Sequence, residues 1–241
     1  MLSKAKGQWI RSLKIKKFRE EIGYYIAEGE KIVRELIASD SDIDAIYVTE
    51  QHQHLFQHPA VWVVTEKEFA TISNLETPSG CLAVVKIPEP ALQLLSGNIL
   101  ILDAIRDPGN LGTIIRTADW FGINAIVCSP DCVDAFNPKT VQSSMGSVLR
   151  VAMFYLPLVE FIQKSTLHHF YISHLEGEEL GHQNIKQPFG LIIGNESKGV
   201  RDELLQTKHL KLRIEGNSNR AESLNAAVAN GVLLHHFFKY I

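Results

Sequence analysis

The sequence predicts an α/β fold, because short apolar runs alternate along the chain with stretches that have the period of an amphipathic helix. In the second half of the chain, runs such as residues 98–102 are continuously apolar, as is typical of parallel strands buried on both faces. Pro88 and Pro90 interrupt the alternation, since each proline lacks an amide donor and restricts the residue before it. We therefore expect a small α/β domain, followed by a larger domain with helices on both faces of a parallel sheet.

The small domain is predicted to cover residues 1–90, with the boundary region near 87–97. Its elements are expected where β-branched and aromatic residues cluster or a helical period recurs: strands at 24–27, 43–48 and 61–64, and a helix at 28–38.

The larger domain is predicted to cover residues 98–241. Its strands are expected at the apolar runs 98–102, 125–128, 170–172 and 190–193. Its helices are expected at 113–121, 138–148 and 200–205. This regular alternation of strand and helix is the pattern of a parallel sheet.

The composition excludes several classes of protein. Of the 241 residues, 45% are hydrophobic and 21% charged, which are ordinary values for a globular chain. No apolar run reaches the roughly 18 residues that span a bilayer, and the basic N-terminus lacks the apolar core of a signal peptide. We expect a cytoplasmic protein without a membrane partner. Cys81, Cys128 and Cys132 lack the CxxC spacing of zinc and redox sites, so we expect them to be reduced and structural.

A basic arm opens the chain, although the net charge is −3. The first 19 residues contain seven of the 24 lysines and arginines and no acidic residue. This clustering has two interpretations, a solvated helix face or a surface that neutralises the phosphates of a nucleic acid. The second interpretation assigns RNA binding to the cations at the end of the arm, Lys14, Lys16, Lys17 and Arg19.

Three histidines lie close together at His52, His54 and His58. They could bind a metal ion, but neither cysteine nor acidic residues accompany them, and this is more typical of an exposed polar loop. We expect no metal site in the protein.

Three polar clusters follow predicted strands, at the strand ends where open α/β sheets bind ligands. The first contains Asn110, Gly112 and Arg116, whose guanidinium can bind a phosphate or another anion. An ordinary strand-to-helix turn with a surface arginine would also explain it. The glycines at 109 and 112 permit close approach of the backbone.

The second cluster, residues 194–199, places Gly194, Glu196 and Gly199 just after an apolar strand, where they can offer polar groups to a small ligand. The third cluster runs from Ile214 into a helix of small residues, which Glu222 or Ser223 could cap. Taken singly, a surface turn and a capped core helix explain the second and third clusters nearly as well.

Together these clusters form the ordered motifs Asn110-x-Gly112-x-x-x-Arg116, Gly194-x-Glu196-x-x-Gly199 and Glu222-Ser223-Leu224-Asn225. In this order the motifs resemble the three signature motifs of the SpoU (TrmH-like) RNA 2'-O-ribose methyltransferases, a family of the SPOUT superfamily. The preceding domain resembles the substrate-binding extension of that family, which is similar to the ribosomal L30e fold.

The resemblance implies an S-adenosylmethionine-dependent enzyme that methylates a ribose 2'-hydroxyl in RNA. It implies a homodimer formed through a C-terminal domain with a deep trefoil knot, a feature that the periodicity does not predict. Ribosomal RNA is the expected substrate, and transfer RNA is the alternative.

The resemblance also implies the roles of individual residues. Arg116 would activate the 2'-oxygen, either as a base or by binding a phosphate and stabilising the alkoxide. The other catalytic positions are Asn110, Glu196, Ser223 and Asn225. The cofactor-binding positions are Gly194, Glu196, Gly199, Ile214 and Leu224. Residues 215–221 are more polar than the usual family loop, which bears on the cofactor contacts.

Two other functional classes compete with this interpretation. A non-catalytic RNA-binding or ribosome-assembly protein could keep the fold, but the five catalytic positions are all intact. A nucleotide-dependent oxidoreductase would be expected to carry GxGxxG after its first strand, and that motif is absent from both parts of the sequence.

Overall fold

The computed structural model describes residues 2–181, 183–217 and 222–239. The chain divides into two compact units. The N-terminal unit comprises Met1–Glu89 and Asp134–Leu149, and the C-terminal unit comprises Pro90–Val133 and Arg150–Ile241. Residues 134–149 thus group with the first unit, although the predicted sequence boundaries put them in the second.

The strands are β1 (Tyr24–Glu28), β2 (Ile43–Thr49), β3 (Val61–Val64), β4 (Cys81–Lys86), β5 (Ile99–Leu102), β6 (Ala125–Cys128), β7 (Ala152–Tyr155), β8 (His169–Glu179), β9 (Phe189–Ile193) and β10 (Leu210–Arg213). The helices are α1 (Lys4–Ser12), α2 (Lys16–Ile22), α3 (Glu30–Ile37), α4 (Glu66–Ile72), α5 (Pro108–Trp120), α6 (Pro138–Ser144), α7 (Leu158–Lys164), α8 (Asp202–Leu205) and α9 (Ala226–Lys239).

The N-terminal unit contains a four-stranded sheet in the order β1-β4-β2-β3. Strand β4 is antiparallel to both of its neighbours, whereas β2 and β3 are parallel. Apolar side chains of α1 and α4 cover one face, with Ile10, Phe69 and Ile72 fully buried against the sheet. The strands and helix predicted in this region are confirmed, and they form a small α/β unit as expected.

The C-terminal unit contains a six-stranded sheet in the order β10-β8-β9-β5-β6-β7, and every neighbouring pair is parallel. Helices α7 and α8 pack with Ile99, Ile101 and Ile192 on one face. On the other face, Phe237 of α9 contacts Phe189 of β9, with ring centroids 4.9 Å apart. The predicted parallel sheet with helices on both faces is confirmed.

The order of the strands reverses at β5. From β5 the chain proceeds outward through β6 and β7, then returns through β8 to β9, which pairs with the opposite side of β5. Such a topological switch point creates a crevice at the carboxyl ends of the strands, where ligands bind in open α/β sheets. The first two motifs follow β5 and β9, and therefore lie at this crevice.

The helix after β5 begins earlier than the predicted 113–121. Asp107 caps its N-terminus and Pro108 occupies its first turn, so α5 starts five residues before Thr113. The prediction was wrong here because Gly109 and Gly112 disfavour a helix, whereas the cap and the burial of Leu111 stabilise one. The two glycines lie within the helix, not in an open turn.

Helix α6 is shorter than the predicted 138–148. It ends at Ser144 because Met145 adopts a left-handed conformation with φ 51°. Strands β4, β7 and β10 and helices α1, α2, α4 and α7 were not among the elements predicted from the sequence.

Among the described residues, no helix is both long and apolar enough to cross a membrane. Cys81, Cys128 and Cys132 are buried and form no disulfide, as expected of structural cysteines. The histidine-rich segment forms a short 3-10 helix at Glu50–Leu55, in which His52 shares a hydrogen bond with Thr49.

Candidate active site

The first motif is positioned by the start of α5. Asp107 accepts a hydrogen bond from the backbone N–H of Asn110 at 2.8 Å, which fixes the first helical turn directly after the crevice. Because Asn110 uses its backbone for this cap, its side-chain amide is left to contact other loops.

The side chain of Asn110 joins the three motifs. Its Nδ2 donates a short hydrogen bond to Glu196 Oε1, and its Oδ1 accepts one from Asn225 Nδ2 at 2.9 Å. Asn225 is fixed in turn because its Oδ1 accepts from the backbone N–H groups of Ala227 and Val228 at 3.0 and 3.3 Å. The structure thus brings together the side-chain amides of Asn110 and Asn225 and the carboxylate of Glu196, which are far apart in sequence.

These contacts correct one sequence prediction. The residue that caps α9 is Asn225, not Glu222 or Ser223, because among the described residues only the Asn225 side chain accepts hydrogen bonds from the first turn of the helix. Ser223 is exposed, and its Oγ lies 3.5 Å from the backbone oxygen of Glu196, at the limit of a hydrogen bond.

Arg116 lies on α5, on a different face of the helix from Asn110. It is exposed, and its guanidinium forms no ion pair with any other described residue. Arg116 lies six positions after Asn110, which in a helix corresponds to about 9 Å along the axis and to directions that differ by about 120° around it. Among the described residues of one copy, no hydrogen bond or ion pair joins Arg116 to Asn110 or Glu196.

The loop after β9 is shaped by its glycines. Asn195 and Gly199 exchange two backbone hydrogen bonds of 3.0 and 2.8 Å, so the loop folds back on itself. A Cβ on Gly194 would lie 2.3 Å from the carbonyl carbon of Gly199, and Gly199 has φ +69°. Only glycine meets both requirements without strain, and the tight loop holds Glu196 in a half-buried position.

The remaining predicted cofactor positions lie near the ends of other elements. Ile214 directly follows β10 and is half-buried, whereas Leu224 precedes α9 and is 46% exposed. Residues 218–221, within the polar loop, lie outside the described residues.

An open groove of about 560 Å³ runs beside the site between α5 and α9. Asn110, Thr113 and Asn225 line its polar end, and Val228 and Val232 line its apolar side. Both valines are substantially exposed, at 53% and 40%, which is unusual for neighbouring positions on one helix face.

A set of polar side chains next to the site was not predicted from the sequence. These residues connect the loops that follow β5, β6 and β9: Asp103, Ser129, Asp131, Asn195 and Arg201. The position of Asp103 directly after an apolar strand was the one available signal, because a carboxylate there needs a partner.

The predicted RNA-binding cations divide into two groups. Lys14, Lys16 and Lys17 are exposed in the N-terminal unit, although Lys14 also donates to the backbone oxygen of Ser73 at 2.8 Å. Arg19 corrects the prediction, since it is only 1% exposed. Its guanidinium is occupied within the same unit and cannot also form a surface contact with RNA.

Comparisons with known proteins show to which family the chain belongs. Residues 97–235, more than half of the chain, match the model of the SpoU rRNA Methylase family, and residues 7–83 match an MRM3-like substrate binding domain. The protein combines a substrate-binding domain of this type with a methylase domain. It belongs to the SpoU rRNA Methylase family, which confirms the resemblance inferred from the three motifs.

Individual relatives cover the whole chain. The chain is 34% identical to the 23S rRNA (guanosine(2553)-2'-O)-methyltransferase RlmP of Bacillus subtilis, over 98% of both sequences. The crystal structure of an AdoMet-bound rRNA methyltransferase from Sinorhizobium meliloti is 29% identical, has a TM-score of 0.87, and is matched over 100% of this chain and 97% of that one. The SpoU methyltransferase AviRb from Streptomyces viridochromogenes, at 20% identity, has the same fold with a TM-score of 0.86, covering 98% of each chain.

Proposed function

We propose that the protein transfers the methyl group of S-adenosylmethionine to a ribose 2'-hydroxyl of ribosomal RNA. The observation that carries this proposal is the contact of Glu196, Asn110 and Asn225, which joins three family motifs at the switch point of the sheet. The similarity to RlmP over the full chain favours ribosomal RNA as the substrate class.

The chemistry of the described residues fits the cofactor. Gly194 and Gly199 add no side chain to the tight loop at the end of β9, and the partly exposed Ile214 and Leu224 supply apolar surface for a flat adenine ring. When bound, S-adenosylmethionine supplies an electrophilic methyl group on a sulfonium. We assign its binding to these four residues together with Glu196.

The residues of the chain then act on the RNA. The 2'-oxygen must be placed in line with the methyl group and must lose its proton as the new bond forms. Arg116 binds the adjoining phosphate of the RNA and stabilises the developing alkoxide, and the released proton passes to solvent water. Asn110, Glu196, Ser223 and Asn225 orient the ribose.

The site is completed by a second copy of the chain. Arg116 and Asn110 lie on different faces of α5, and no contact among the described residues joins Arg116 to Glu196, so we infer that another copy of the chain supplies the cation. The exposed Val228 and Val232 on α9 offer an apolar surface for this homodimer. Light scattering tests it: we expect a dimer for the wild type and a monomer when both valines are changed to Glu. A monomeric wild type at micromolar concentration would contradict the proposal.

The family relationship carries two finer inferences. We infer the deep trefoil knot of these enzymes in the C-terminal unit, and an experimental chain trace that closes into an unknotted loop would overturn it. We also infer a cytoplasmic location, in agreement with three cysteines that form no disulfide. Secretion of the protein by its native host would contradict this location.

A methyl-transfer assay tests the function. Purified protein is incubated with labelled S-adenosylmethionine and separate unmethylated ribosomal and transfer RNA fractions, and the RNA is digested to nucleosides. We expect a labelled 2'-O-methylnucleoside from the ribosomal fraction. Label in the transfer RNA fraction alone would show that transfer RNA, and not ribosomal RNA, is the substrate. The absence of both product and cofactor binding would favour a non-catalytic RNA-binding protein.

A further inference from the structure

An ion pair between a buried carboxylate, Asp103, and a partly exposed arginine, Arg201, lies at the end of the loop that contains Glu196. Asp103 directly follows β5 and is 1% exposed. Its Oδ2 accepts the backbone N–H of Arg201 at 2.8 Å, and its Oδ1 lies 2.5 Å from Nη2 of the same arginine. A carboxylate buried in this way needs a cation, and Arg201 supplies both a charge and a backbone donor.

The ion pair extends to a third loop. Arg201 Nη2 also lies 2.9 Å from Oδ1 of Asp131, which follows β6 and accepts a 2.6 Å hydrogen bond from Ser129. Ser129 Oγ accepts in turn from the backbone N–H of Ala104 at 2.9 Å. The arginine therefore connects the loops that follow β5, β6 and β9.

The Glu196 loop is consequently attached to the β5–α5 turn at both of its ends. At its start, Asn195 Nδ2 donates to the backbone oxygen of Ala104 at 3.0 Å. At its end, Arg201 is held by Asp103. Glu196 lies between these two attachments and contacts Asn110 on the helix that follows the same turn.

We propose that Arg201 is a positioning residue, which sets the alignment of Glu196 with Asn110 through its ion pair with Asp103. The inference rests on the proposed methyl transfer and extends it, since Arg201 lies outside the three motifs. A displacement of about 1 Å in an aligned site can cost on the order of a hundredfold in rate, so removal of this link is expected to slow catalysis.

The first test compares Arg201→Gln with Arg150→Gln. Arg150 is a matched control because it forms an exposed ion pair with Asp119 at 2.7 Å in the same unit. We expect Arg201→Gln to lower kcat about tenfold or more while KM for RNA changes less than about twofold, because alignment and not binding is lost. Arg150→Gln is expected to change neither, and a wild-type kcat for Arg201→Gln would overturn the proposal.

A second variant separates positioning from stability. Arg201→Gln leaves Asp103 without its cation, whereas the double variant Asp103→Asn/Arg201→Gln removes both charges and is expected to regain the melting temperature. We expect kcat to remain low in the double variant and to be partly restored in Arg201→Lys, which keeps the charge. Recovery of kcat together with the melting temperature in the double variant would show a merely structural role.

Amide hydrogen exchange gives a result that does not depend on activity. The N–H groups of Ser197 and Lys198 are bonded to Asn195 Oδ1, and that of Arg201 to Asp103. In Arg201→Gln, these amides should exchange at least about tenfold faster than in the wild type. In Arg201→Lys they should be partly protected, and in Arg150→Gln their exchange should not change. Unchanged exchange would refute the attachment, whereas a wild type without methyl transfer would refute only the proposed function.

Discussion

The N-terminal arm and helix α5 each carry an arginine that the sequence marks as a candidate for contact with RNA, and the structure gives the two opposite environments. Arg19 is buried, donates to Asp134 Oδ2 at 2.8 and 2.6 Å, and donates to the backbone oxygen of Leu13 at 2.7 Å. Arg116 is exposed and forms no ion pair with another described residue. A basic cluster therefore identifies cations, but burial decides which of them stabilise the fold and which can bind a ligand.

The largest effect is expected when the buried pair is broken. Arg19→Ala leaves Asp134 without its cation and the Leu13 carbonyl without its donor, so the free energy of unfolding should fall by about 3–5 kcal/mol. Denaturant unfolding of the intact protein measures this change. Arg11→Ala, at an exposed position in the same arm, is the control and should change it by less than about 0.5 kcal/mol. Equal losses of stability in Arg19→Ala and Arg11→Ala would contradict the expected difference between a buried and an exposed arginine.

The opposite result is expected at α5. Arg116→Ala should reduce the rate of methyl transfer at least about 100-fold, since a cation beside the developing alkoxide is lost. The melting temperature and the affinity for S-adenosylmethionine should stay within error, because Arg116 supports neither packing nor the cofactor loop. Single-turnover kinetics and calorimetry measure both quantities. An active Arg116→Ala enzyme would contradict the role of this residue, and Arg150→Ala serves as the control.

For the exposed lysines of the arm, we expect an effect smaller than those of Arg19→Ala and Arg116→Ala. Reversal of charge at Lys14, Lys16 and Lys17 should weaken RNA binding several-fold at low salt and reduce its salt dependence, because fewer phosphates are neutralised. Binding curves at several salt concentrations test this expectation, with cofactor binding as a check of folding. The control reverses three other exposed lysines of the unit: Lys31, Lys67 and Lys86. Equal loss in the control would indicate a general effect of charge.

The smallest effect concerns pH. The hydroxyl of Ser129 and, next, the guanidinium of Arg201 lower the pKa of Asp131 below its usual value. A lowered carboxyl pKa stabilises the folded state above the unfolded pKa of about 4, and this contribution is lost as pH falls through the lower folded value. Because Asp131 is 42% exposed, solvent screening limits the effect to less than about 1 kcal/mol.

Thermal unfolding between pH 7 and pH 3 measures that contribution. The difference in stability between wild type and Asp131→Asn should be present at pH 7 and should shrink below about pH 4. A difference that stays constant across this range would show that the charge of Asp131 does not contribute.

The sequence was most informative where a pattern is local. The apolar runs of β5 and β9 predicted a buried parallel sheet, and the polar residues after them predicted candidate ligand-binding loops at the ends of these strands. The resemblance of the three motifs to the SpoU family implied that Asn110, Glu196 and Asn225 belong to one site, and the structure brings their side chains into contact.

The features that could not be predicted from the sequence depend on contacts between residues that are distant along the chain. Arg19 meets Asp134 115 positions later, and Asp103 meets Arg201 98 positions later, so no local period could predict either burial. The start of α5 was missed for a related reason, since the burial of its apolar side chains overrides the low helix propensity of Gly109 and Gly112.

A complementation assay tests most directly the claim that two copies of the chain build one methyltransferase site. Arg116→Ala and Glu196→Gln are each expected to be nearly inactive, and they are mixed as subunits in equal amounts and allowed to reassociate. If Arg116 of one copy serves Glu196 of the other, each mixed dimer keeps one intact site and the mixture regains about a quarter of wild-type activity. If mixed dimers form and remain inactive, both residues act within one copy, and the account of the site is wrong.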